Sequence, residues 1–99
     1  MGTVSEQQFL ASLEQETSAV DLPPLLQAIR HGLRGEWEAA HGIAQSVEGA
    51  DGAWVHAWLH RIEGDLANAG YWYRRAGRPA ATDSTDAEGR TIARALLER

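Results

Sequence analysis

Residues 52–79, GAWVHAWLHRIEGDLANAGYWYRRAGRP, hold three of the four tryptophans and both tyrosines of this chain. Their apolar residues recur at the three- and four-residue spacing of a helix face. Gly64 divides the stretch, and Asp65, which follows it, begins the acidic first turn of the next helix. Gly77 and Pro79 end the pattern, as glycine and proline do after a helix. The stretch therefore predicts two helices joined by a tight bend.

A second copy of this pattern precedes the first. Gly35 lies 29 positions before Gly64, and the same offset aligns residues 25–47 with residues 54–76. The apolar positions coincide as well, and four identities are in register: Ala28 with Ala57, His31 with His60, Gly35 with Gly64, and Ala40 with Ala69. Because one helical hairpin cannot cover its own apolar face, two copies must stack. We predict repeat units at about 22–48 and 51–78 within a single domain, 1–99.

Capping patterns place the other helix ends. Two sequences have the form of a capping box, Ser5 with Gln8 and Thr85 with Glu88, and Asp51 can cap the fourth helix. The first helix is predicted at about residues 6–17, and the prolines of LPPLLQAIRHGLRG fit only the first turn of the second. The prediction is an all-α fold of about six helices, in which an N-terminal and a C-terminal helix flank the two hairpins. The residues expected in its core are Trp58, Ile62, Leu66, Ala69 and Trp72.

Composition excludes several classes of function. The formal charge of −5 argues against binding to nucleic acid or to an anionic membrane. There is no cysteine and no lysine, which excludes thiol and Schiff-base catalysis. The first ten residues lack the pattern of a signal peptide, and no apolar run reaches the roughly 18 residues of a membrane span. We expect a cytoplasmic protein without a cofactor, and no enzyme motif is recognisable.

Two resemblances support the helical prediction. The segment GDLANAGYWYRRAGRP resembles the second helix of a tetratricopeptide repeat, through Gly64, Asp65, Ala69, Tyr73 and Pro79. The period of 29 is shorter than the roughly 34 residues of that repeat. The whole stretch also resembles a set of small uncharacterised microbial proteins that carry the motif W-x-HAxLHRxEGDxxNAxYWYxRAG. Both resemblances imply helical hairpins, and neither implies a reaction.

The fourth helix carries candidate metal ligands. His56, His60 and Glu63 fall on one strip of the helix surface, where two imidazoles and a carboxylate can bind a divalent metal. The alternative is that the histidines are structural and form hydrogen bonds inside the core. His31 occupies the repeat position of His60 without a second histidine nearby, which favours the structural interpretation. His41, four residues after Trp37, is predicted to be a boundary residue.

The fifth helix carries candidate ligand-binding residues. Asn68, Tyr71 and Arg75 share one side of it, and an arginine beside an amide and a phenol can recognise a carboxylate or phosphate. The competing prediction is that Arg75 forms salt bridges with Glu63 or Asp65.

Three hypotheses on function follow from these residues. The leading one is a non-catalytic helical-repeat binding or scaffold module, whose partner is a protein, a peptide or a second copy of the chain. The alternative is a small-molecule or metal-binding protein, or an enzyme, that uses His56, His60, Glu63 and Arg75. The third is a purely structural homodimer that buries a tryptophan-bearing face.

Overall fold

The computed structural model describes residues 4–16 and 21–98, and this part of the chain forms six helices and no strand. The helices are α1 (Glu6–Ser12), α2 (Pro24–Leu33), α3 (Trp37–Gln45), α4 (Ala50–Ile62), α5 (Leu66–Ala76) and α6 (Thr85–Leu97). The predicted all-α fold is confirmed. None of these helices has the length and the apolar character that crossing a membrane requires.

The connections within the two hairpins share their geometry. Residues 34–36 join α2 to α3 and residues 63–65 join α4 to α5. The glycine in each has a positive φ, +83° at Gly35 and +86° at Gly64, where a side chain would be strained. After each glycine a backbone N–H donates back to the carbonyl five residues earlier, from Glu36 to His31 and from Asp65 to His60. Helices α2 and α4 therefore end in the same Schellman-type turn, and the equivalent residues of the two turns are 29 positions apart.

Helix α4 lies at the centre of the fold. It packs against α2, α3, α5 and α6, and every residue from Gly52 to His60 is buried. Trp58 is fully buried, and its indole Nε1 donates to the carbonyl of Thr85 at 2.7 Å. Its ring lies between Gly32 of α2 and Gly89 of α6, where a Cβ would come within 2.6 Å and 2.4 Å of ring carbons. Glycine at these two positions lets both helices approach α4 closely.

A buried carboxylate joins α4, α5 and α6. The Glu88 side chain accepts a hydrogen bond from Arg61 at 2.9 Å and another from the Tyr73 hydroxyl at 2.5 Å. Burial, and then the adjacent Glu88 carboxylate, raise the pKa of Tyr73, so the phenol keeps its proton and donates. With both of its oxygens paired, Glu88 can remain buried as a carboxylate.

Helix α1 is held at its C-terminal end by side chains of α2. Arg30 is buried and donates to the carbonyls of Ser12 and Gln15, and Arg34 donates to the carbonyl of Leu13 at 2.8 Å. These guanidinium groups donate to carbonyls at and just beyond the end of α1, where the regular backbone hydrogen bonds of the helix stop. The Ser5–Gln8 capping box at the start of α1 is present as predicted.

Three helix ends differ from their predicted positions. Helix α1 ends at Ser12, short of the predicted end at residue 17, which lies outside the described residues. Asp51 does not cap α4, because the helix begins one residue earlier at Ala50 with Gly49 as its N-cap. Ser84 rather than Thr85 caps α6, and its hydroxyl accepts from the Ala87 N–H. In both latter cases the observed N-cap lies one or two residues before the predicted one, within the usual range for helix ends.

The predicted core is correct at its centre and wrong at its edge. Trp58 and Ala69 are buried, Ile62 and Trp72 are partly buried, but Leu66 is 68% exposed. The main helix contacts of α5 are with α4, so only one stripe of α5 is covered. Leu66 lies on the same face of α5 as Ala69 and Tyr73, but it is the first residue of the helix, and its side chain is left uncovered there.

Candidate functional site

Three imidazoles meet between α3 and α4. His56 and His60 lie one turn apart on α4, each 7% exposed, and His41 approaches them from α3. The Nε2 atoms of His41 and His56 are 3.1 Å apart. One ring nitrogen from each of the three histidines lies within 4.8 Å of the other two. We call His41, His56 and His60 the histidine cluster.

Aromatic rings hold the cluster from both sides. The Trp37 indole stacks on His41 with ring centroids 4.6 Å apart, and the Trp72 indole stacks on His56 at 4.0 Å. Trp37 is itself fixed, because its Nε1 donates to the carbonyl of Leu59 at 2.6 Å. Helices α3 and α5 thus each contribute one tryptophan that restricts the rotation of an imidazole.

The surroundings of His41 and His56 favour uncharged imidazoles. The pKa of His56 is lowered to about 4, mainly by burial and also by the neighbouring His41 and His60. Burial is also the main cause that lowers the pKa of His41, followed by His60, while the Glu63 carboxylate acts in the opposite direction. At neutral pH these two rings each keep a nitrogen lone pair, so one of the two Nε2 atoms donates to the other across the 3.1 Å contact.

Glu63 orients His60 from outside the cluster. Its Oε1 lies 2.7 Å from Nδ1 of His60. A carboxylate at Nδ1 favours the tautomer that carries its proton there, which leaves the Nε2 lone pair of His60 free. The prediction that His56, His60 and Glu63 share one strip is thus realised with different roles, since Glu63 holds a ring and His41 completes the set of imidazoles.

The candidates on α5 do not form one group. The Asn68 amide bonds to the Asp65 carboxylate at the start of the helix, away from Arg75. Tyr71 is 44% exposed and accepts a hydrogen bond from Arg75 at 3.0 Å. Arg75 also lies over the Trp72 ring, 5.3 Å from its centroid. Within residues 4–16 and 21–98 it forms no ion pair with Glu63 or Asp65, so that competing prediction is wrong.

A groove adjoins the histidine cluster. A cavity of about 470 Å³ opens between the α3–α4 connection and α5. Its floor includes Gly52 and Ala53 of α4, and its wall on α5 is formed by Trp72 and Arg75. His56 also lines it, so two of the residues predicted from sequence face the same space. We call this cavity the α3–α5 groove.

Sequence reasoning missed the role of His41. Its only sequence signal is the four-residue spacing after Trp37, which places the two rings on one face of α3. Nothing in that spacing reveals that the face meets His56 and His60 of α4, because the crossing of two helices depends on tertiary packing.

Comparisons with family models, with curated proteins and with solved structures each found no match to this chain. The resemblance to tetratricopeptide repeats and to the microbial proteins with the shared motif therefore stays a prediction, and the candidate site rests on its geometry.

Proposed function

We propose that the protein is a non-catalytic helical-repeat binding module, with tetratricopeptide-like hairpins at about 22–48 and 51–78, that acts in the cytoplasm. Its partner is a protein or peptide segment that occupies the α3–α5 groove. The observation that carries this proposal is Arg75, a guanidinium without a carboxylate partner among the described residues, placed beside the Trp72 indole on the groove wall.

The wall of the groove favours a partner of defined chemistry. Arg75 is exposed, and its hydrogen bond to Tyr71 leaves most of its five N–H donors available. A guanidinium binds a carboxylate through two parallel hydrogen bonds. Trp72 offers an apolar face at the same place. We infer a segment that presents an acidic side chain or a free C-terminal carboxylate next to an apolar side chain.

The lining of the groove supports binding rather than covalent chemistry. Among the residues that the structure describes, those around the groove provide an imidazole, an amide, a carboxylate and a guanidinium, but no hydroxyl or thiol side chain. Nucleophilic catalysis most often uses such a hydroxyl or thiol beside a base. His56, the imidazole in the groove, is stacked on Trp72 and contacts His41.

Selection from a displayed library of random peptides tests this proposal. We expect the enriched peptides to carry an acidic residue or a free C-terminus beside an apolar residue. Calorimetry should show that Arg75→Ala weakens binding by about 10- to 100-fold, the worth of a hydrogen bond to a charged group. The matched control is Arg90→Ala, which removes an arginine of α6 paired with Asp86 and should leave binding unchanged.

Two outcomes would contradict the proposal. The first is enrichment of peptides whose affinity does not depend on Arg75. The second is a dimer in sedimentation equilibrium that Arg75→Ala dissociates, which would make a second copy of the chain the occupant of the groove.

A further inference from the structure

We propose that His41, His56 and His60 bind one transition-metal dication, with Zn²⁺ as the ion tested first. This inference goes beyond the proposed binding function and does not depend on it. It rests on three imidazole nitrogens that two helices bring to within 4.8 Å of one another in a largely buried place.

The distances between the three ring nitrogens are close to those of a zinc site, so the rings would need to move only slightly to bind an ion. Zinc bonds to histidine nitrogen at about 2.0–2.1 Å with tetrahedral angles, which places ligand nitrogens about 3.3 Å apart. His41 and His56 are already at 3.1 Å. The His56 and His60 rings stack with centroids 4.9 Å apart, so His60 completes the site by turning its ring toward the other two.

The direct contact between His41 and His56 places two ligand-type nitrogens side by side. Without a metal, one neutral imidazole donates its Nε2–H to the lone pair on Nε2 of the other. A metal ion among the three rings would instead accept one nitrogen lone pair from each histidine, and each neutral ring would carry its proton on its other nitrogen.

Glu63 provides the support that metal-binding histidines commonly have. Its carboxylate holds Nδ1 of His60 at 2.7 Å, outside the three-nitrogen set. Carboxylates in this position fix the tautomer and raise the basicity of the ligand nitrogen. Trp37 and Trp72 complete the support, since they stack on His41 and His56.

The ligand set determines the class of metal. Imidazole nitrogen suits Zn²⁺, Ni²⁺ and Cu²⁺, whereas Mg²⁺ and Ca²⁺ require oxygen ligands. Three protein ligands leave a fourth tetrahedral position for water or for an external group. His56 lines the α3–α5 groove, so a ligand bound there would lie near the metal.

A second group of possible ligands, His60, Glu63 and Asp65, is a weaker candidate. Glu63 and Asp65 are exposed. Glu63 is paired with His60, and Asp65 accepts from the backbone and side chain of Asn68. The cap of α5 would be lost if Asp65 turned to a metal, so we assign the site to the histidine cluster.

Metal titration of the untagged, metal-free protein tests the proposal. We expect one equivalent of Zn²⁺ to bind in competition with a chromophoric chelator, and one equivalent of Co²⁺ to give the visible absorption of a four-coordinate ion. His41→Gln and His56→Gln should each abolish this stoichiometric binding. His41→Gln is the more informative variant, because His41 is only partly buried and its replacement disturbs the core least.

Matched variants separate this site from other causes. His31→Gln removes a histidine that pairs with Glu36 outside the cluster, and it should bind Zn²⁺ as the natural protein does. Glu63→Gln should keep the stoichiometry but weaken affinity by about 10- to 100-fold, as expected for the loss of a supporting carboxylate. Circular dichroism confirms that each variant is folded.

Three results would overturn the proposal. They are no stoichiometric binding by the natural protein, unchanged binding by His41→Gln, and a loss of binding by His31→Gln as large as that of His41→Gln. Arg75→Ala should keep the metal site, and His41→Gln should keep peptide binding. Failure of this inference is therefore distinguishable from failure of the proposed function.

Discussion

Replacing Gly89 with alanine tests how closely α6 packs against α4. An added Cβ would lie 2.4 Å from Cζ2 of Trp58, 3.0 Å from its Cε2 and 2.9 Å from Cδ2 of Leu33. Ordinary contacts between carbon atoms are about 3.5–4.0 Å. The indole would have to move by about 1 Å, but Gly32 confines it on the opposite side, where there is equally little space.

The expected loss of stability combines two opposing contributions. Overpacking a tight core costs about 1–3 kcal/mol, and the upper end applies because a rigid ring is confined from both sides. Alanine favours a helix over glycine by about 1 kcal/mol, which offsets part of the cost. The net expectation is a free energy of unfolding lower by about 2 kcal/mol. In a domain of this size that corresponds to a Tm lower by about 8–16 °C.

Gly42→Ala is the matched control for this experiment. Gly42 lies within α3, and a Cβ there would meet no atom within 4 Å. The same substitution should therefore raise the free energy of unfolding by about 0.5–1 kcal/mol through helix propensity alone. Thermal unfolding followed by circular dichroism measures both variants. If Gly89→Ala raised the Tm as Gly42→Ala does, the close approach of α6 to Trp58 would be refuted.

Three further experiments concern the pH dependence of stability, the buried Glu88 and the cap of α6. In metal-free protein, the pKa of His56 is lower in the folded state than in the unfolded chain, so the unfolded chain binds a proton more readily. The contribution of His56 to stability is therefore complete above pH 6.5 and is lost as the pH falls toward 4. The loss is about 2–3 kcal/mol, and urea titrations at several pH values should show a smaller loss in His56→Gln. Tyr73→Phe should lower the free energy of unfolding by about 1–3 kcal/mol, because Glu88 then loses one of its two partners, and unchanged urea denaturation would contradict that pairing. Ser84→Ala removes the cap of α6 and should lower the free energy of unfolding by about 0.5–2 kcal/mol. Thr85→Ala should change it by less than about 0.5 kcal/mol. If thermal unfolding showed the larger loss for Thr85→Ala, Thr85 would be the cap instead.

The sequence alone determined the elements of the fold. Helices form where apolar residues recur every three or four positions, and they end where a glycine takes a positive φ, as at Gly35, Gly64 and Gly77. Both signals act between residues close in the chain, so they can be read without knowing the tertiary structure. The cap at Ser5 was predicted for the same reason, whereas Asp65, which was expected in the first turn of α5, is its N-cap.

Other features were decided only when the helices packed. Helical periodicity places Leu66 on the apolar face of α5. Whether a neighbouring helix covers that end of the face depends on how α5 packs, and Leu66 remains exposed. Gly32 and Gly89 have no special backbone angle; they are needed because the Trp58 ring passes between two helices.

The same distinction between local sequence signals and helix packing applies to the candidate site. The four-residue spacing on one helix was enough to bring His56 and His60 together, and the short turn that follows brought Glu63 to His60. His41 reached them only through the packing of α3 against α4, across a separation of 15 residues in the chain. Helical periodicity fixes which side chains share a face of one helix, whereas the partners of that face depend on how the helices cross.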